Sequence, residues 1–167
     1  MQRRDLLLPL AAAALLPGCG FQLRQAPTFA FSTIYLTVNP NSAFGAELRR
    51  NLEAGGRIRV IRDLAQRDTA DVILEIIQDQ RERVVLGYNA NGQVREFQLR
   101  VRVRFRLRTP QDVEVLPPTE LLLQQDQSYD ETLALAKEQE AQLIYRNLQS
   151  DVVQQILRRL AAIKTLG

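Results

Sequence analysis

One stretch of the chain alternates apolar and cationic side chains without a break, and it reads EFQLRVRVRFRLR over residues 96–108. Strict alternation has a period of two residues, which is typical of a β-strand that buries one face. The apolar face carries Phe97, Leu99, Val101, Val103, Phe105 and Leu107. The other face carries Arg100, Arg102, Arg104, Arg106 and Arg108, hereafter the arginine ladder. Successive ladder arginines stand about 6.7 Å apart, so they need carboxylates on neighbouring strands or an outside anion.

Composition narrows the chemistry that the chain can perform. The sequence has no histidine, the commonest general base and metal ligand, among its 167 residues. Cys19 is its only cysteine, which excludes a disulfide within the chain and a thiolate metal cluster. The formal charge is +3, so only local basic patches bear on the choice of partner. The sequence therefore predicts a protein that is not an enzyme, with no cofactor and no metal site.

The N-terminus has the features of a bacterial lipoprotein signal. Arginines at positions 3 and 4 precede a mostly apolar segment at residues 6–16, which is too short to span a bilayer. Residues 16–19 read LPGC and match a lipobox, so Cys19 is the predicted lipidation site. We divide the chain into a signal peptide (1–18), a lipidated tether (19–30) and one domain (31–167). A plain secretory signal with an incidental cysteine is the alternative, and the export route, Sec or twin-arginine, stays open.

Periodicity predicts the elements of the domain in the order β-α-β-β-β-α. The first strand (31–38) is β-branched and aromatic, and a helix capped by Ser42 and stopped by Gly55-Gly56 follows it. Residues 57–61 are a short strand or an extended lead-in to a loop. The other predicted strands span 72–86, 96–108 and 113–127. From Tyr129 onward, apolar residues recur every three or four positions, which predicts an amphipathic helix of about thirty residues.

The position of the hairpin turn sets which side chains share a face with the ladder. Asn91-Gly92 is the strongest short hairpin signal in the chain, and we place it at the centre of a two-residue turn. That register puts Asp79 opposite Arg104 and Glu75 opposite Arg108, although polar residues facing apolar ones indicate a bulge. It also leaves a basic cluster without carboxylates: Arg81, Arg83, Arg100 and Arg102. We predict that this cluster binds an anion; the alternative is a solvated face whose arginine stems cover the sheet.

Two other functions fit the residues less well. Ser128 and Lys137 are candidates for a serine nucleophile activated by lysine, but no sequence feature places them together. An arginine-rich strand can also bind the phosphates of a nucleic acid. Export to the envelope argues against a nucleic acid as partner.

Four segments together resemble the LPS-assembly lipoprotein LptE family. In chain order they are CGFQLR after the lipobox, SAFGAELRRNLEAGG, ADVILEI and LALAKEQEAQLIYRNLQSDVVQQILRRL. The resemblance implies an α+β fold, with a four-stranded, mainly antiparallel sheet and two helices packed on one face. It also implies a non-enzymatic lipoprotein that plugs the outer-membrane β-barrel of LptD, binds lipopolysaccharide and assists its delivery to the cell surface. Gly20, directly after the predicted lipidation site, resembles the outer-membrane kind of lipoprotein, anchored on the periplasmic side.

The electrostatics and the resemblance point to the same ligand. Arginine side chains bind phosphate oxygens through two parallel hydrogen bonds, and lipopolysaccharide carries phosphates. Acidic groups of the barrel wall are the other possible partners of the arginines, and the sequence leaves both open. A second interpretation is an auxiliary lipoprotein of a lipid-transport ABC system. A third is a lipid hydrolase, which the missing histidine argues against.

Overall fold

A computed structural model describes residues 27–39 and 41–166 of the chain. These residues form one five-stranded mixed sheet, with strand order β2-β1-β3-β4-β5, and two α-helices. The strands are β1 Thr33–Leu36, β2 Arg59–Ile61, β3 Val72–Tyr88, β4 Val94–Arg108 and β5 Glu114–Ser128. The α-helices are α1 Ala43–Glu53 and α2 Ala134–Ala162, and short 3-10 helices span Leu64–Thr69 and Glu131–Leu133. The predicted signal peptide and most of the predicted tether, including Cys19, lie outside the described residues.

The prediction of a four-stranded, mainly antiparallel sheet in the order β-α-β-β-β-α is wrong. The described order of strands and α-helices is β-α-β-β-β-β-α, because residues 59–61 form an edge strand instead of a lead-in. β2 pairs parallel with β1, and β1 pairs parallel with β3, so the sheet is mixed. Parallel neighbours need a crossover, and α1 supplies the one between β1 and β2. With only three residues, β2 is too short for its periodicity to separate it from a loop in the sequence.

Helix α1 forms where the sequence predicts it. Its N-cap is Ser42, whose Oγ accepts a hydrogen bond of 2.9 Å from the N–H of Gly45. Phe44, Leu48 and Leu52 recur every four residues and are at most 3% exposed. This spacing buries one side of α1 in the core and leaves Arg50 exposed.

The β3–β4 hairpin turns through three residues instead of the predicted two. The N–H of Asn89 donates to the carbonyl of Gln93 over 2.8 Å, so residues 90–92 form the loop. The Asn89 side-chain oxygen accepts from the N–H groups of Asn91 and Gln93, both at 2.9 Å. Gly92 has φ of +78°, the left-handed conformation that a three-residue hairpin loop requires.

The extra loop residue shifts the cross-strand register by one position, which turns the outer half of β3 to the other face. Odd-numbered residues of β3 therefore pair with the apolar face of β4, as Arg83 does with Leu99. An irregularity at Ile77 restores the predicted face further along, where Leu74 pairs with Leu107. The predicted pairings are wrong over most of the hairpin, while the bulge that their mismatches indicated is present.

Helix α2 has 29 residues and spans about 44 Å. It begins at Ala134, later than the predicted start at Tyr129, because a 3-10 turn precedes it. Asp130 caps this turn, and its carboxylate accepts from the N–H of Thr132 over 2.9 Å. The buried residues of α2 are Ala141, Ile144, Leu148, Gln149, Val152, Val153, Ile156, Leu157 and Leu160.

Both α-helices share one hydrophobic core with the apolar face of β4. Leu99, Val103 and Phe105 are all 0% exposed within this core. The prediction that the two α-helices pack on one face of the sheet is therefore confirmed. We call this side the helix face, and the side that carries the arginine ladder the open face.

Candidate functional site

The arginine ladder stands on the open face, as the alternation predicts. Odd-numbered residues of β4 from Leu99 to Leu107 are at most 2% exposed, whereas the ladder arginines retain contact with solvent. β4 is an inner strand, paired with β3 on one side and with β5 on the other. Carboxylates from both neighbours can therefore reach the ladder.

Glu75 on β3 neutralises the end of the ladder near the start of that strand. Its carboxylate accepts hydrogen bonds from Nε of Arg106 over 2.6 Å and from Nε of Arg108 over 2.7 Å. Arg108 also lies 3.5 Å from the carboxylate of Asp112. The pairing of Glu75 with Arg108 was predicted, but Arg106 is its direct cross-strand neighbour.

Glu82 and Glu120 form ion pairs with the middle of the ladder. Arg102 bridges them, with Nε 3.2 Å from Glu82 on β3 and Nη1 2.7 Å from Glu120 on β5. Arg100 lies 4.0 Å from the carboxylate of Glu82, and its Nε donates a hydrogen bond of 2.7 Å to the side-chain oxygen of Gln98. Among the described residues, Arg104 has no carboxylate within 4.0 Å. The ladder is therefore largely neutralised within the chain, with Arg100 and Arg104 the most weakly paired.

The shift in register decides which carboxylates of β3 face the ladder. Asp79, predicted to face Arg104, pairs with Val103 and lies on the helix face. Burial raises the pKa of the Asp79 carboxyl, against the opposing effect of the Arg81 charge. Glu82 pairs with Arg100 and so lies on the open face. The sequence did carry a sign of this, because the predicted register set the charged Glu82 opposite an apolar residue of β4. A shift of one residue removes that mismatch.

The predicted cluster of Arg81, Arg83, Arg100 and Arg102 does not exist as one cluster. Arg81 pairs with Val101 and Arg83 with Leu99, so both point to the helix face. Arg100 and Arg102 lie on the open face, on the other side of the sheet. The three-residue hairpin loop is the cause, because a shift of one residue exchanges the faces of a strand. Anion binding by these arginines stays a prediction.

Arg81 and Arg83 join the outer half of β3 to α2. Arg81 donates to the side-chain oxygen of Gln149 over 2.6 Å and lies 5.6 Å from the ring centre of Tyr145. Arg83 donates to Glu138 over 3.0 Å and stacks 3.9 Å from the ring centre of Phe97. Guanidinium groups on aromatic faces combine apolar contact with electrostatic attraction. These arginines therefore fasten the long helix to the sheet.

The Glu75 carboxyl carries a pH-dependent part of the stability. Desolvation raises its pKa, but hydrogen bonds from Arg106 and Arg108 outweigh that effect and hold the pKa below the ordinary value of 4.5. A carboxyl with a lowered pKa stabilises the fold above its ordinary pKa, and this contribution is lost as the pH falls towards the folded-state pKa. The stabilisation by Glu75 is thus complete at neutral pH and disappears in acid.

We expect Glu75→Gln to lower the free energy of unfolding by about 1–2 kcal/mol at pH 7, after allowance for solvent screening. Urea unfolding of both proteins at pH 7 and at pH 3 measures the effect. The difference between them should shrink at pH 3, because the carboxyl is mostly protonated in the unfolded chain below its ordinary pKa of 4.5 and part of its stabilising effect is then lost. An equal difference at both pH values contradicts the prediction.

The structure does bring Ser128 and Lys137 together. Nζ of Lys137 lies 3.2 Å from Oγ of Ser128 and 2.9 Å from the carboxylate of Glu140. The Lys137 ammonium donates to both the Ser128 hydroxyl and the Glu140 carboxylate. A lysine that activates a serine must instead accept the proton of the hydroxyl. The contact is therefore explained as a link between the end of β5 and the start of α2.

Two absences hold for the part of the chain that the structure describes. No group of three or more acidic, histidine or cysteine residues there is arranged to hold a metal ion. No helix there combines the length and apolar character needed to cross a membrane.

The family model for lipopolysaccharide-assembly LptE matches residues 31–160, which include every described strand and most of α2. The chain belongs to the LptE family. Its curated relatives include the LPS-assembly lipoprotein LptE of Yersinia pestis (strain Pestoides F), 27% identical over 169 residues. That alignment covers 98% of this chain and 78% of the Yersinia protein. The relative in Yersinia pseudotuberculosis (strain YPIII) matches to the same extent.

Solved structures share the LptE-family fold. The solution NMR structure of lipoprotein B from Nitrosomonas europaea has a TM-score of 0.71 at 31% identity, covering 86% of this chain and 91% of that one. The crystal structure of the rare lipoprotein B from Shewanella oneidensis has a TM-score of 0.64 at 22% identity, covering 78% and 94%. Membership of the LptE family makes this protein an envelope lipoprotein of lipopolysaccharide assembly. Neither the matching family model nor these relatives indicate an enzymatic family.

Proposed function

We propose that this LptE-family protein plugs an LptD-type β-barrel in the outer membrane and binds lipopolysaccharide on its way to the cell surface. In this proposal, acyl chains on Cys19 anchor it on the periplasmic side. Family membership supports the proposal, since the family is named for lipopolysaccharide assembly. The sheet supports it as well, because its two α-helices lie on one side and leave the arginine ladder on the open face for a partner.

An affinity pull-down of the lipidated protein from detergent-solubilised outer membranes tests the plug role. Mass spectrometry should identify a large β-barrel protein in a one-to-one ratio. An inner-membrane transporter subunit would favour the alternative, an auxiliary lipoprotein of a lipid-transport ABC system. Recovery of no stoichiometric partner contradicts the plug role too.

Within the proposed function, the open face is the surface for lipopolysaccharide phosphates. Of the four arginines predicted to bind an anion, Arg100 and Arg102 lie there, and Arg104 continues the same row. Arg100 and Arg104 are the most weakly paired ladder arginines in the described chain, so an outside phosphate competes with few internal contacts. Arg102 already bridges two carboxylates, and reversing its charge would disturb the sheet as well as any ligand.

We expect the double variant Arg100→Gln, Arg104→Gln to bind lipopolysaccharide at least about tenfold more weakly than the wild type, because charge-assisted hydrogen bonds to phosphate are lost. Its fold should be unchanged, since few internal ion pairs involve these residues. Titration of fluorescent lipopolysaccharide measures the affinity, and circular dichroism checks the fold. A native-like variant with wild-type affinity contradicts the assignment.

A matched control also removes two arginine charges, but from the helix face. The variant Arg81→Gln, Arg83→Gln should keep the affinity for lipopolysaccharide and lose some stability through its contacts with α2. If this pair weakens binding and the open-face pair does not, the ligand meets the helix face. A wild-type protein that binds no lipopolysaccharide contradicts the binding role itself.

A further inference from the structure

A second arginine-rich region lies at the β2 edge of the sheet, away from the ladder. The segment 49–62 contains five arginines and a single carboxylate, Glu53. We call these arginines the basic edge: Arg49, Arg50, Arg57, Arg59 and Arg62. They lie on the last part of α1, on the connection that follows it, and on or directly after β2, which is an edge strand.

The basic edge is only weakly neutralised within the described chain. Its single ion pair there joins Arg62 to Glu53 at 4.0 Å, between side chains that are 66% and 38% exposed. The other four arginines make no ion pair or hydrogen bond with a described carboxylate, and the nearest charge effect is that of Arg59, which helps to lower the pKa of the Asp71 carboxyl. In the ladder, by contrast, most of the arginines form ion pairs with Glu75, Glu82 or Glu120. The basic edge is therefore the stronger candidate for an outside anionic surface.

The N-terminal end of the described chain lies beside this edge. Arg59 pairs with Thr33 at the start of β1, and its N–H donates to the carbonyl of Ser32 over 2.9 Å. Pro27 is the first described residue, six positions before Thr33. Eight residue steps separate Cys19 from Pro27, a span of about 27 Å when fully extended. A tether of this length would let the basic edge reach the surface of the membrane that holds an acylated Cys19.

Two local features suit a lipid interface. Leu64, which follows Arg62 closely, is 69% exposed, and an apolar side chain beside cationic ones is typical of surfaces that rest on lipid headgroups. A cavity of about 420 Å³ opens between α1 and the strands β1 and β2. Arg49 and Arg62 are among its lining residues, together with Tyr35 and Asn41. It offers a headgroup phosphate a recess that two arginines line.

We propose that the basic edge docks on the anionic phospholipid headgroups of the membrane that holds the lipid anchor, and so orients the domain. A polybasic surface next to an acyl anchor adds an electrostatic attraction that the acyl chains alone do not provide. The proposal rests on acylation of Cys19. It requires neither the barrel nor lipopolysaccharide, because a phospholipid surface supplies the ligand.

The test uses the full lipidated protein with one introduced cysteine. Because Cys19 is the only native cysteine and acylation occupies its thiol, the introduced one is the only free thiol. Ala54→Cys places a fluorophore beside the basic edge, and Asn91→Cys places one in the hairpin loop as control. Both positions are exposed. The labelled proteins are bound to phosphatidylcholine vesicles with or without phosphatidylglycerol, and quenching by headgroup spin-labelled lipid is measured.

We expect phosphatidylglycerol to increase quenching at position 54 and to leave position 91 unchanged. High salt should abolish the increase, because it screens the headgroup charge. The variant Arg57→Gln, Arg59→Gln should also abolish it. The control variant Arg95→Gln, Arg146→Gln, which removes two exposed arginines elsewhere, should retain it. Circular dichroism confirms that each variant is folded.

Three results would overturn the proposal. The first is equal quenching at position 54 in neutral and anionic vesicles, or an increase that survives the loss of Arg57 and Arg59. The second is an increase that requires lipid A in place of phosphatidylglycerol, which would make the edge a glycolipid site. The third is a protein that does not float with any vesicle, which removes the anchor on which the docking depends. None of these results bears on barrel plugging, which the pull-down tests separately.

Discussion

Replacing Phe105 by alanine is expected to lower the free energy of unfolding by about 3–5 kcal/mol, the usual cost of removing a buried phenyl ring. Phe105 is 0% exposed and belongs to the core that the sheet shares with both α-helices. It pairs with Ile76 on one side and Thr119 on the other, so the cavity would open in the middle of the sheet. Typical domains unfold with only about 5–15 kcal/mol. Urea unfolding followed by circular dichroism measures the loss.

Leu135→Ala is the matched control for the loss of an apolar side chain. Leu135 lies on α2 and is 77% exposed, so its replacement should change the free energy of unfolding by no more than about 0.5 kcal/mol. Comparable losses in the two variants would mean that Phe105 is not part of the core. The ladder strand would then have to be placed with its apolar side outward.

Replacing Gly45 by alanine is expected to destabilise the protein by about 1–3 kcal/mol, although alanine favours helices. A Cβ at this position would lie 2.5 Å from the carbonyl oxygen of Asn39 and 3.1 Å from Cγ1 of Val38. The oxygen belongs to the backbone of the loop that enters α1, so it cannot rotate away as a side chain would. The same urea titration measures the change.

Gly87→Ala is the control for this substitution. A Cβ at Gly87 meets no atom within 4 Å, and its backbone is not in the left-handed region. The change should leave the stability unaltered or raise it by up to about 1 kcal/mol, since glycine weakens strand interiors. If both variants behave alike, the close approach of the Asn39 loop to α1 does not constrain position 45.

Local patterns predicted most of the elements. Ser42 and the four-residue spacing from Phe44 to Leu52 specify α1, because capping and amphipathic periodicity depend on neighbours within the same helix. The alternation of residues 96–108 specifies a strand with one apolar and one arginine face for the same reason. The sequence left β2 undecided between a short strand and an extended lead-in, because a strand of three residues depends on its parallel partner β1 and carries little pattern of its own.

The candidate site depended on contacts between strands, and there the sequence was insufficient. Asn91-Gly92 indicated a turn but did not say whether the loop held two residues or three. That one residue decided the faces of Arg81, Arg83 and Glu82, and with them the partners of the ladder. No local signal identifies Glu120 as a partner of Arg102, because the contact requires β5 to pair with β4 in one particular register.

By itself, the sequence determined the ladder strand, the two amphipathic helices, the predicted lipidation site at Cys19 and the resemblance to the LptE family. Each rests on spacing within a short segment, or on segments recognised one by one. Only the tertiary structure decided the parallel β2 edge, the division of the arginines between two faces and the carboxylates that neutralise the ladder. These depend on pairing register, and a shift of one residue turns every side chain of a strand to the opposite face.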